Sequence, residues 1–208
     1  MIQAWRGRYR NIYFVATYRT NLCGLFLQRV QDYFFPTVEW ERAYGRPPRQ
    51  PEGRALRFTV SRVVPPEELQ VPPLPEIDIG GSDDFQVSGF FDKEGDGDLT
   101  YRWTGSCASV YLPGAKAGAT VVVRATAGRR PPSARAPLVT ASLSGEALGS
   151  FLAGDDWGDH ALRLPKPLPA GPPVLRFDVP AWRPVNFLEG SSDVRDLGVM
   201  VDRIRVVP

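Results

Sequence analysis

The feature that most constrains the fold is a run of short, strand-like segments from Ile77 to the end of the chain. Each segment is rich in β-branched or aromatic residues, and turn signals recur about every 8–12 residues. The chain also holds 21 Pro and 20 Gly among 208 residues, a composition typical of turns and short strands rather than long helices. We therefore predict a mainly β protein, an antiparallel β-sandwich of the jelly-roll type with eight or nine strands.

The candidate strands of this region can be placed by alternation of apolar and polar residues. In the last of them, the apolar positions are Val199, Val201, Ile204 and Val206. The predicted strands are Phe85–Phe91, Thr100–Thr104, Ala108–Leu112, Ala119–Ala127, Pro137–Ser144, Glu146–Leu152, His160–Leu164, Val174–Val179 and Leu197–Val207. Period-two alternation places one face of each strand in a core and the other in solvent.

Residues 1–64 predict a small N-terminal α/β segment. Its candidate strands are Asn11–Tyr18, Thr37–Arg42 and Arg54–Val64. Between the first two, the apolar spacing over Leu22–Phe35 predicts a short amphipathic helix with Asn21 as its N-cap. The proline-rich residues 65–76 then predict a linker or strap, because proline disfavours helices and central strands. The jelly-roll domain follows at residues 77–208.

Charge and hydropathy limit the partners. The formal net charge is only +2, so we expect no nucleic-acid partner. No apolar run approaches the roughly 18 residues of a membrane span, and we expect a soluble chain without a signal peptide. Cys23 and Cys107 form either one disulfide in an oxidising compartment or two buried free thiols, and the sequence leaves both open.

Several short motifs carry a resemblance to a known class of domain. They are Asp78-Ile-Gly-Gly-Ser-Asp-Asp, Gly89-Phe-Phe-Asp, Tyr101-Arg-Trp-Thr, Ala108-Ser-Val-Tyr-Leu-Pro, Gly128-Arg-Arg-Pro, Leu143-Ser-Gly-Glu-Ala-Leu-Gly, His160-Ala-Leu-Arg-Leu-Pro, Trp182-Arg-Pro and Asp193-x-Arg-Asp-Leu-Gly-Val-x-Val-Asp. With them, residues 77–207 resemble a carbohydrate-binding-module-like jelly roll. Such domains are similar to the extracytoplasmic C-terminal region of bacterial membrane glycosyltransferases of the protein-mannosyltransferase-like class.

The resemblance implies a non-catalytic accessory module that binds carbohydrate or associates with glycans. It would be the soluble tail of a membrane glycosyltransferase, in the periplasm or at the cell surface, with a membrane-embedded catalytic region of the same parent protein as a partner. The catalytic acidic residues of that class lie in its membrane portion, which these motifs do not include. We therefore expect no catalytic activity. The alternative is a structural or assembly protein whose sandwich edges contact other protein chains.

Candidate sugar-binding residues are Trp157, Trp182, Arg183 and Asp159. Sugar rings stack their C–H faces on exposed indoles, and nearby charged groups bind the hydroxyls. Trp157 lies in a polar loop and is the stronger of the two tryptophan candidates. Trp103 alternates with polar neighbours inside a strand, so we predict that it packs in the core.

A second cluster, Asp193, Arg195 and Asp196, predicts a structural brace. An arginine between two carboxylates fixes a loop by bidentate pairing, here to the acidic segment at residues 78–84. Binding of a ligand is the less favoured interpretation.

A third cluster, Asp92, Glu94, Asp96 and Asp98, has the alternating carboxylates of a calcium loop. The twelfth position is Trp103 rather than a bidentate Glu, so an acidic hairpin loop is the preferred interpretation and no cofactor is expected.

Catalytic signals are weak. His160 is the only histidine and opens a strand, so an edge position is preferred over a role as a base. Glu39 and Glu41 lie on one side of a predicted strand, where surface charge is the preferred explanation over glycoside chemistry.

Overall fold

A computed structural model describes residues 11–16, 22–36, 55–69, 71–81, 83, 86–96 and 99–208. Within these ranges the chain is almost entirely strand and turn, with 3₁₀ turns at Pro66–Glu68 and Pro184–Asn186. None of the described helices has the length and apolar character needed to cross a membrane. Spatial contacts divide the chain into one unit of residues 1–20 and 27–64 and a second of residues 21–26 and 65–208.

The first unit contains a three-stranded sheet. Its strands are β1 (Tyr13–Ala16), β2 (Phe26–Pro36) and β3 (Ala55–Val64), in the order β1-β3-β2. β1 runs antiparallel to β3, with Val15 opposite Val60. The predicted strand Arg54–Val64 is confirmed by β3.

The helix predicted over Leu22–Phe35 is wrong, because residues 26–36 form strand β2. The apolar spacing fits a helix, but aromatic and β-branched residues such as Val30 and Tyr33 also favour a strand. The pairing of β2 with β3 decides between the two, and Arg62 Nη2 donates a 3.0 Å hydrogen bond to Gln28 Oε1 across them. Two other predictions, the cap Asn21 and the strand Thr37–Arg42, fall outside the described residues.

The second unit holds the β-sandwich, and the predicted fold class is confirmed. Its strands are β4 (Glu76–Asp78), β5 (Val87–Asp96), β6 (Leu99–Tyr111), β7 (Thr120–Thr126), β8 (Leu138–Leu143), β9 (Glu146–Leu152), β10 (Gly158–Arg163), β11 (Val174–Asp178) and β12 (Met200–Val207). They pair antiparallel in the order β10-β7-β12-β6-β11-β8-β9, with β4 beside β12 and β5 beside β6. Two predicted strands, at residues 100–104 and 108–112, are one long strand, β6.

β6 joins the two layers of the sandwich because it changes partner along its length. Arg102 and Trp103 lie opposite β12, whereas residues 107–111 lie opposite β11. The layer of β10, β7, β12 and β4 and the layer of β11, β8 and β9 enclose one core, which includes Val121 and Ile204 from the first and Phe177 from the second.

The sequence left the state of the two cysteines open, and the structure joins Cys23 to Cys107 in a disulfide with Cα atoms 5.6 Å apart. The bond ties residues 21–26 to β6 of the second unit. Next to it, Gly24 N donates a 3.0 Å hydrogen bond to Ser88 Oγ in β5. The short segment before β2 is therefore anchored to the sandwich by the disulfide and by hydrogen bonding.

Candidate functional site

The solvent side of β10, β7, β12 and β4, here called the outer face, carries many charged side chains. Burial alternates along these strands, so that Val121, Val123 and Leu162 point into the core and their neighbours point outward. The charged residues of the outer face are Asp159 and Arg163 in β10, Arg124 in β7, Arg203 and Arg205 in β12, and Glu76 and Asp78 in β4.

Ion pairs organise the centre of the outer face. Arg205 Nη2 lies 2.6 Å from Asp159 Oδ2, across β7. Arg124 Nε and Arg203 Nε both approach Oδ2 of Asp202, at 3.1 and 3.3 Å. Asp202 is 2% exposed and is the extra residue of a β-bulge in β12. A bulge re-aims a side chain that regular alternation would send elsewhere, which places this carboxylate beneath two guanidinium groups.

An aromatic pair lies at one end of the outer face. Trp157 precedes β10 and contacts Tyr101 of β6, with ring centroids 5.8 Å apart and an interplanar angle of 57°. Both rings are half-buried. Trp157 belongs to the loop before β10 and Tyr101 to β6, and β7 and β12 separate these two strands in the sheet, so the pair joins elements that are not neighbours. The pair therefore presents a partly exposed aromatic surface beside the charged rows.

The loop that carries Trp157 is anchored to β7. The hydroxyl of Thr126 lies 2.8 Å from the carbonyl oxygen of Asp155 and 3.1 Å from that of Gly154. In addition, Ala127 N donates a 2.7 Å hydrogen bond to the Gly154 carbonyl. These bonds hold the indole in place without a ligand, so stacking a ligand on it would require little ordering of the loop.

Trp182, also predicted to bind sugar, is instead 5% exposed and offers no open face. It packs edge-on against Trp103 at 6.5 Å, in a small cluster with Ala134 and Leu197. An antiparallel bridge between Trp182 and Leu197 holds its backbone, and this turns the indole inward. Trp103 is 7% exposed, so its predicted core position is confirmed. Tyr101 packs on the same cluster, which makes Trp182 part of the support under the aromatic pair.

Arg183 lies on the surface and pairs with Asp196. Its Nε and Nη2 lie 3.0 and 2.9 Å from the two carboxylate oxygens of Asp196, and this pairing raises the pKa of the Arg183 guanidinium. The sequence placed Asp196 with Arg195, but the structure gives it this different partner. The four predicted sugar-binding residues are thus divided between two places. Trp157 and Asp159 lie at the start of β10, and Trp182 and Arg183 lie in the loop before β12.

Arg195 connects its own loop to β5. Its Nη2 lies 2.7 Å from Asp193 Oδ2, and its Nη1 lies 2.7 Å from Glu94 Oε1. The hydrogen bonds with Arg195 lower the pKa of Asp193, and those with Asp193 and Glu94 raise the pKa of Arg195. The guanidinium also lies 5.4 Å from the centroid of the Phe91 ring. The partner in β5 is Glu94, whereas the expected acidic segment supplies Asp83 to a different arginine, Arg102.

We expect Arg195→Ala to lower the free energy of unfolding by about 1–2 kcal/mol, because a partly exposed network of two carboxylates and a cation–π contact is lost. Chemical denaturation measures the change. Arg183→Ala, which removes a longer and more exposed pair, is the control and should lower the free energy of unfolding much less than Arg195→Ala. An unchanged midpoint for Arg195→Ala together with lost sugar binding would assign Arg195 to ligand contact instead.

Three of the four predicted calcium residues, Asp92, Glu94 and Asp96, lie on a strand rather than in a loop. Residues 87–96 form β5, with Glu94 opposite Tyr101 of β6, and Glu94 is already bound by Arg195. Asp98 and the side chain of Asp96 fall outside the described residues. Across the described ranges, no three His, Cys, Asp or Glu side chains are grouped to hold a metal ion.

The residues considered for catalysis are placed as follows. His160 lies on β10, at one end of the sheet order, where an edge position was predicted. Its ring stacks on Phe151 of β9 at 4.1 Å and 13°, and burial lowers its pKa, an effect that the charge of Asp159 partly offsets. The stack closes the gap between β9 and β10, which is a structural role. Glu39 and Glu41 fall outside the described residues.

Sequence reasoning did not find Tyr101, Arg124 or Arg203. Tyr101 was seen only as part of a motif, and nothing local indicates that it meets Trp157, 56 positions later in the chain. Arg124 and Arg203 each lie on a strand in which apolar and polar residues alternate, so their outward position could be inferred from the sequence. Their shared carboxylate depends on a bulge, which alternation cannot reveal.

Comparison with known proteins gives structural likeness only. No protein-family model matches this chain, and no curated protein matches it. Among solved structures it is similar to "BiXyn10A CBM1 APO", with 12% identity and a TM-score of 0.35 over 64% of this chain and 96% of that one. It is also similar to a variant of CBM29-2, a family 29 carbohydrate binding module, with 8% identity and a TM-score of 0.33 over 57% and 77%. The β-sandwich assignment rests on the strand pairing of this chain itself.

Proposed function

We propose that this chain is a non-catalytic accessory module that binds carbohydrate on its outer face. The observation that carries the proposal is the Trp157–Tyr101 pair, held beside rows of ion-paired side chains. A sugar ring has an apolar C–H face and a polar rim of hydroxyls. It therefore suits a surface on which an aromatic platform and fixed hydrogen-bonding groups lie together.

The ion pairs supply these hydrogen-bonding groups. A carboxylate such as Asp159 has several lone-pair sites, and an arginine such as Arg205 has five N–H donors, so one mutual contact leaves further sites for hydroxyls. Because the two side chains already hold each other, ordering them on binding costs less conformational entropy. Both remain partly exposed, with 47% of the Asp159 side chain and 40% of the Arg205 side chain accessible.

The proposed setting is extracytoplasmic, at the soluble tail of a membrane glycosyltransferase. The disulfide between Cys23 and Cys107 supports an oxidising compartment, because such bonds persist mainly outside the cytosol. The motifs Tyr101-Arg-Trp-Thr and Asp193-x-Arg-Asp-Leu-Gly-Val support the proposed parent by resemblance. Co-purification of the full-length parent from membranes, followed by sequencing, tests this setting. A parent without membrane spans would contradict it.

We expect Trp157→Ala to weaken polysaccharide binding tenfold or more, because the stacking platform is lost; a tenfold change corresponds to about 1.4 kcal/mol. A glycan array identifies the ligand, and calorimetric titration measures the change. Tyr33→Ala removes another exposed aromatic ring, 50% accessible and on β2 of the first unit rather than on the outer face, and should bind like the wild type. Equal losses in both variants would move the site away from the outer face, and no binding of the wild type to any glycan would end the proposal.

The assembly alternative makes a different prediction for the same sample. Contacts through sandwich edges require a defined oligomer, which light scattering detects. A monomer that binds polysaccharide favours the accessory module, and a stable oligomer without glycan binding favours the alternative.

A further inference from the structure

We infer that the glycan bound on the outer face is acidic, with carboxylate or sulfate groups that meet the arginines of β10, β7 and β12. The inference rests on the proposed function, since it concerns the ligand of the same site. It begins from the distribution of charge over the four strands rather than from the aromatic pair.

Two arginines lie directly opposite each other at the centre of the face. Arg124 of β7 and Arg203 of β12 are paired in register, and each side chain is 40% exposed. Like charges directly opposite on adjacent strands are destabilising. Among the described residues, the carboxylate that lies near both is Asp202, whose Oδ2 is 3.1 Å from Arg124 Nε and 3.3 Å from Arg203 Nε. Arg203 also lies 3.7 Å from Glu76 of β4, whereas Arg124 has Asp202 as its one ion-pair partner in the described part of the chain. An anion above Arg124 would add a second partner.

Positive charge is also in excess across the three strands. β10, β7 and β12 bring four guanidinium groups to the face, those of Arg163, Arg124, Arg203 and Arg205. Against them stand two carboxylates, Asp159 and Asp202. Arg163 donates a 3.2 Å hydrogen bond to the Thr120 hydroxyl, and no carboxylate in the described part of the chain contacts it. Arg163 lies at the end of β10 opposite to Trp157, and Arg124 lies between them on β7, opposite Asp159. A ligand stacked on Trp157 therefore meets these arginines if it extends along the two strands.

Besides Asp159 and Asp202, the acidic residues of the face lie at its margin. Glu76 and Asp78 belong to β4, on the far side of β12 from β7. Asp78 accepts a 3.1 Å hydrogen bond from Thr100, and Glu76 lies 3.7 Å from Arg203. An acidic ligand is thus attracted to the centre and repelled at the β4 edge. Neighbouring strands are about 4.8 Å apart, a spacing comparable with the length of one sugar ring in a linear polysaccharide.

A nucleic acid is the other polyanion that combines stacking with arginine contacts. The chain as a whole has a net charge of only +2, and a densely charged phosphate backbone would also meet Asp159 and the β4 carboxylates. The observations favour a ligand with one anionic group per sugar and an apolar ring face. Single-stranded DNA is therefore included as a competing ligand in the test.

The test compares two matched pairs of polysaccharides. Polygalacturonate is paired with its carboxyl-reduced form, and dextran sulfate is paired with dextran, so that each pair differs only in its anionic groups. We expect at least tenfold tighter binding to the acidic member of at least one pair, with affinity falling as salt rises because exposed charges are screened. The two pairs also distinguish a carboxylate from a sulfate as the recognised group.

Single substitutions test whether the arginines of the outer face cause the preference for acidic glycan. Arg163→Gln breaks no ion pair, and Arg124→Gln leaves Arg203 on Asp202, so both should fold; each is expected to reduce the preference for acidic glycan three- to tenfold. Arg135→Gln removes the same charge from an exposed loop position outside the face and should leave the preference unchanged. Trp157→Ala should weaken the binding of acidic and neutral glycans by the same factor.

Each other outcome overturns the inference. Equal binding to both members of each pair, or binding to neutral glycans alone, removes it while the proposed function stands. Acidic binding that is unaffected by Trp157→Ala would be simple ion exchange, and single-stranded DNA bound as tightly as the acidic glycan would assign the face to nucleic acid. If the wild type binds no glycan of any kind, the proposed function falls as well.

Discussion

Replacing Asp83 with alanine is expected to lower the free energy of unfolding by about 3–5 kcal/mol, because a buried ion pair loses one partner. Arg102 Nε and Nη2 lie 2.8 and 2.9 Å from the two carboxylate oxygens of Asp83. The side chains are 3% and 0% exposed, so water cannot replace the lost carboxylate. A third bond, from Arg102 Nη1 to the Phe91 carbonyl at 3.2 Å, also holds the guanidinium in place.

We expect the burial of the ion pair, rather than its bidentate geometry, to determine this loss of stability. An exposed bidentate pair in the same protein provides the comparison. Arg176 and Asp178 form a bidentate pair at 2.8 and 2.6 Å, but their side chains are 47% and 49% exposed. Asp178→Ala should therefore cost about 1 kcal/mol or less. Urea denaturation of both variants gives the comparison. Similar losses in the two would contradict the role of burial.

A double variant separates the pair from its members. Replacing Asp83 with Leu and Arg102 with Met together should be less destabilising than Asp83→Ala alone, because no buried charge is left without its partner. A double variant that is less stable than the single one would show that the pair itself contributes net stability.

Reducing the disulfide is the other change with a large expected effect, a loss of about 4 kcal/mol. Cys23 and Cys107 are 84 positions apart, and a bond across a long loop restricts the unfolded chain strongly. Denaturation with and without a phosphine reductant measures the loss for the second unit. The Cys23→Ser, Cys107→Ser variant should be as unstable as the reduced wild type and insensitive to the reductant. A wild-type midpoint that reduction does not change would contradict the prediction.

The fold could be predicted from the sequence where it depends on neighbours along the chain. Strand β9 matches its predicted bounds, Glu146–Leu152, because turn residues stand on both sides of it, Ser144-Gly145 before and Gly154-Asp155 after. The segment at residues 26–36 could not be assigned in this way. Its apolar spacing suits a helix as well as a strand, and only hydrogen bonding to β3, which begins about twenty residues later, decides between them.

The candidate site was predicted in part, for a similar reason. Trp157 stands in a polar loop, so its partial exposure could be inferred from the sequence. Trp182 also stands beside polar residues, yet its indole is buried, because its bridge to Leu197 and its contact with Trp103 come from distant segments. The brace contact between Arg195 and Glu94 joins residues 101 positions apart, a distance at which local pattern carries no information.

By itself the sequence determined the antiparallel β class, the position of most strands and the core position of Trp103, because these follow from period-two alternation and turn residues along one stretch of chain. Only the tertiary structure decided that Trp157 meets Tyr101, that Arg124 and Arg203 share Asp202, and that Cys23 bonds to Cys107. Each of these contacts joins segments whose proximity depends on strand order, register or a bulge. Those properties are set by packing of the whole sandwich, and no short stretch of the sequence specifies them.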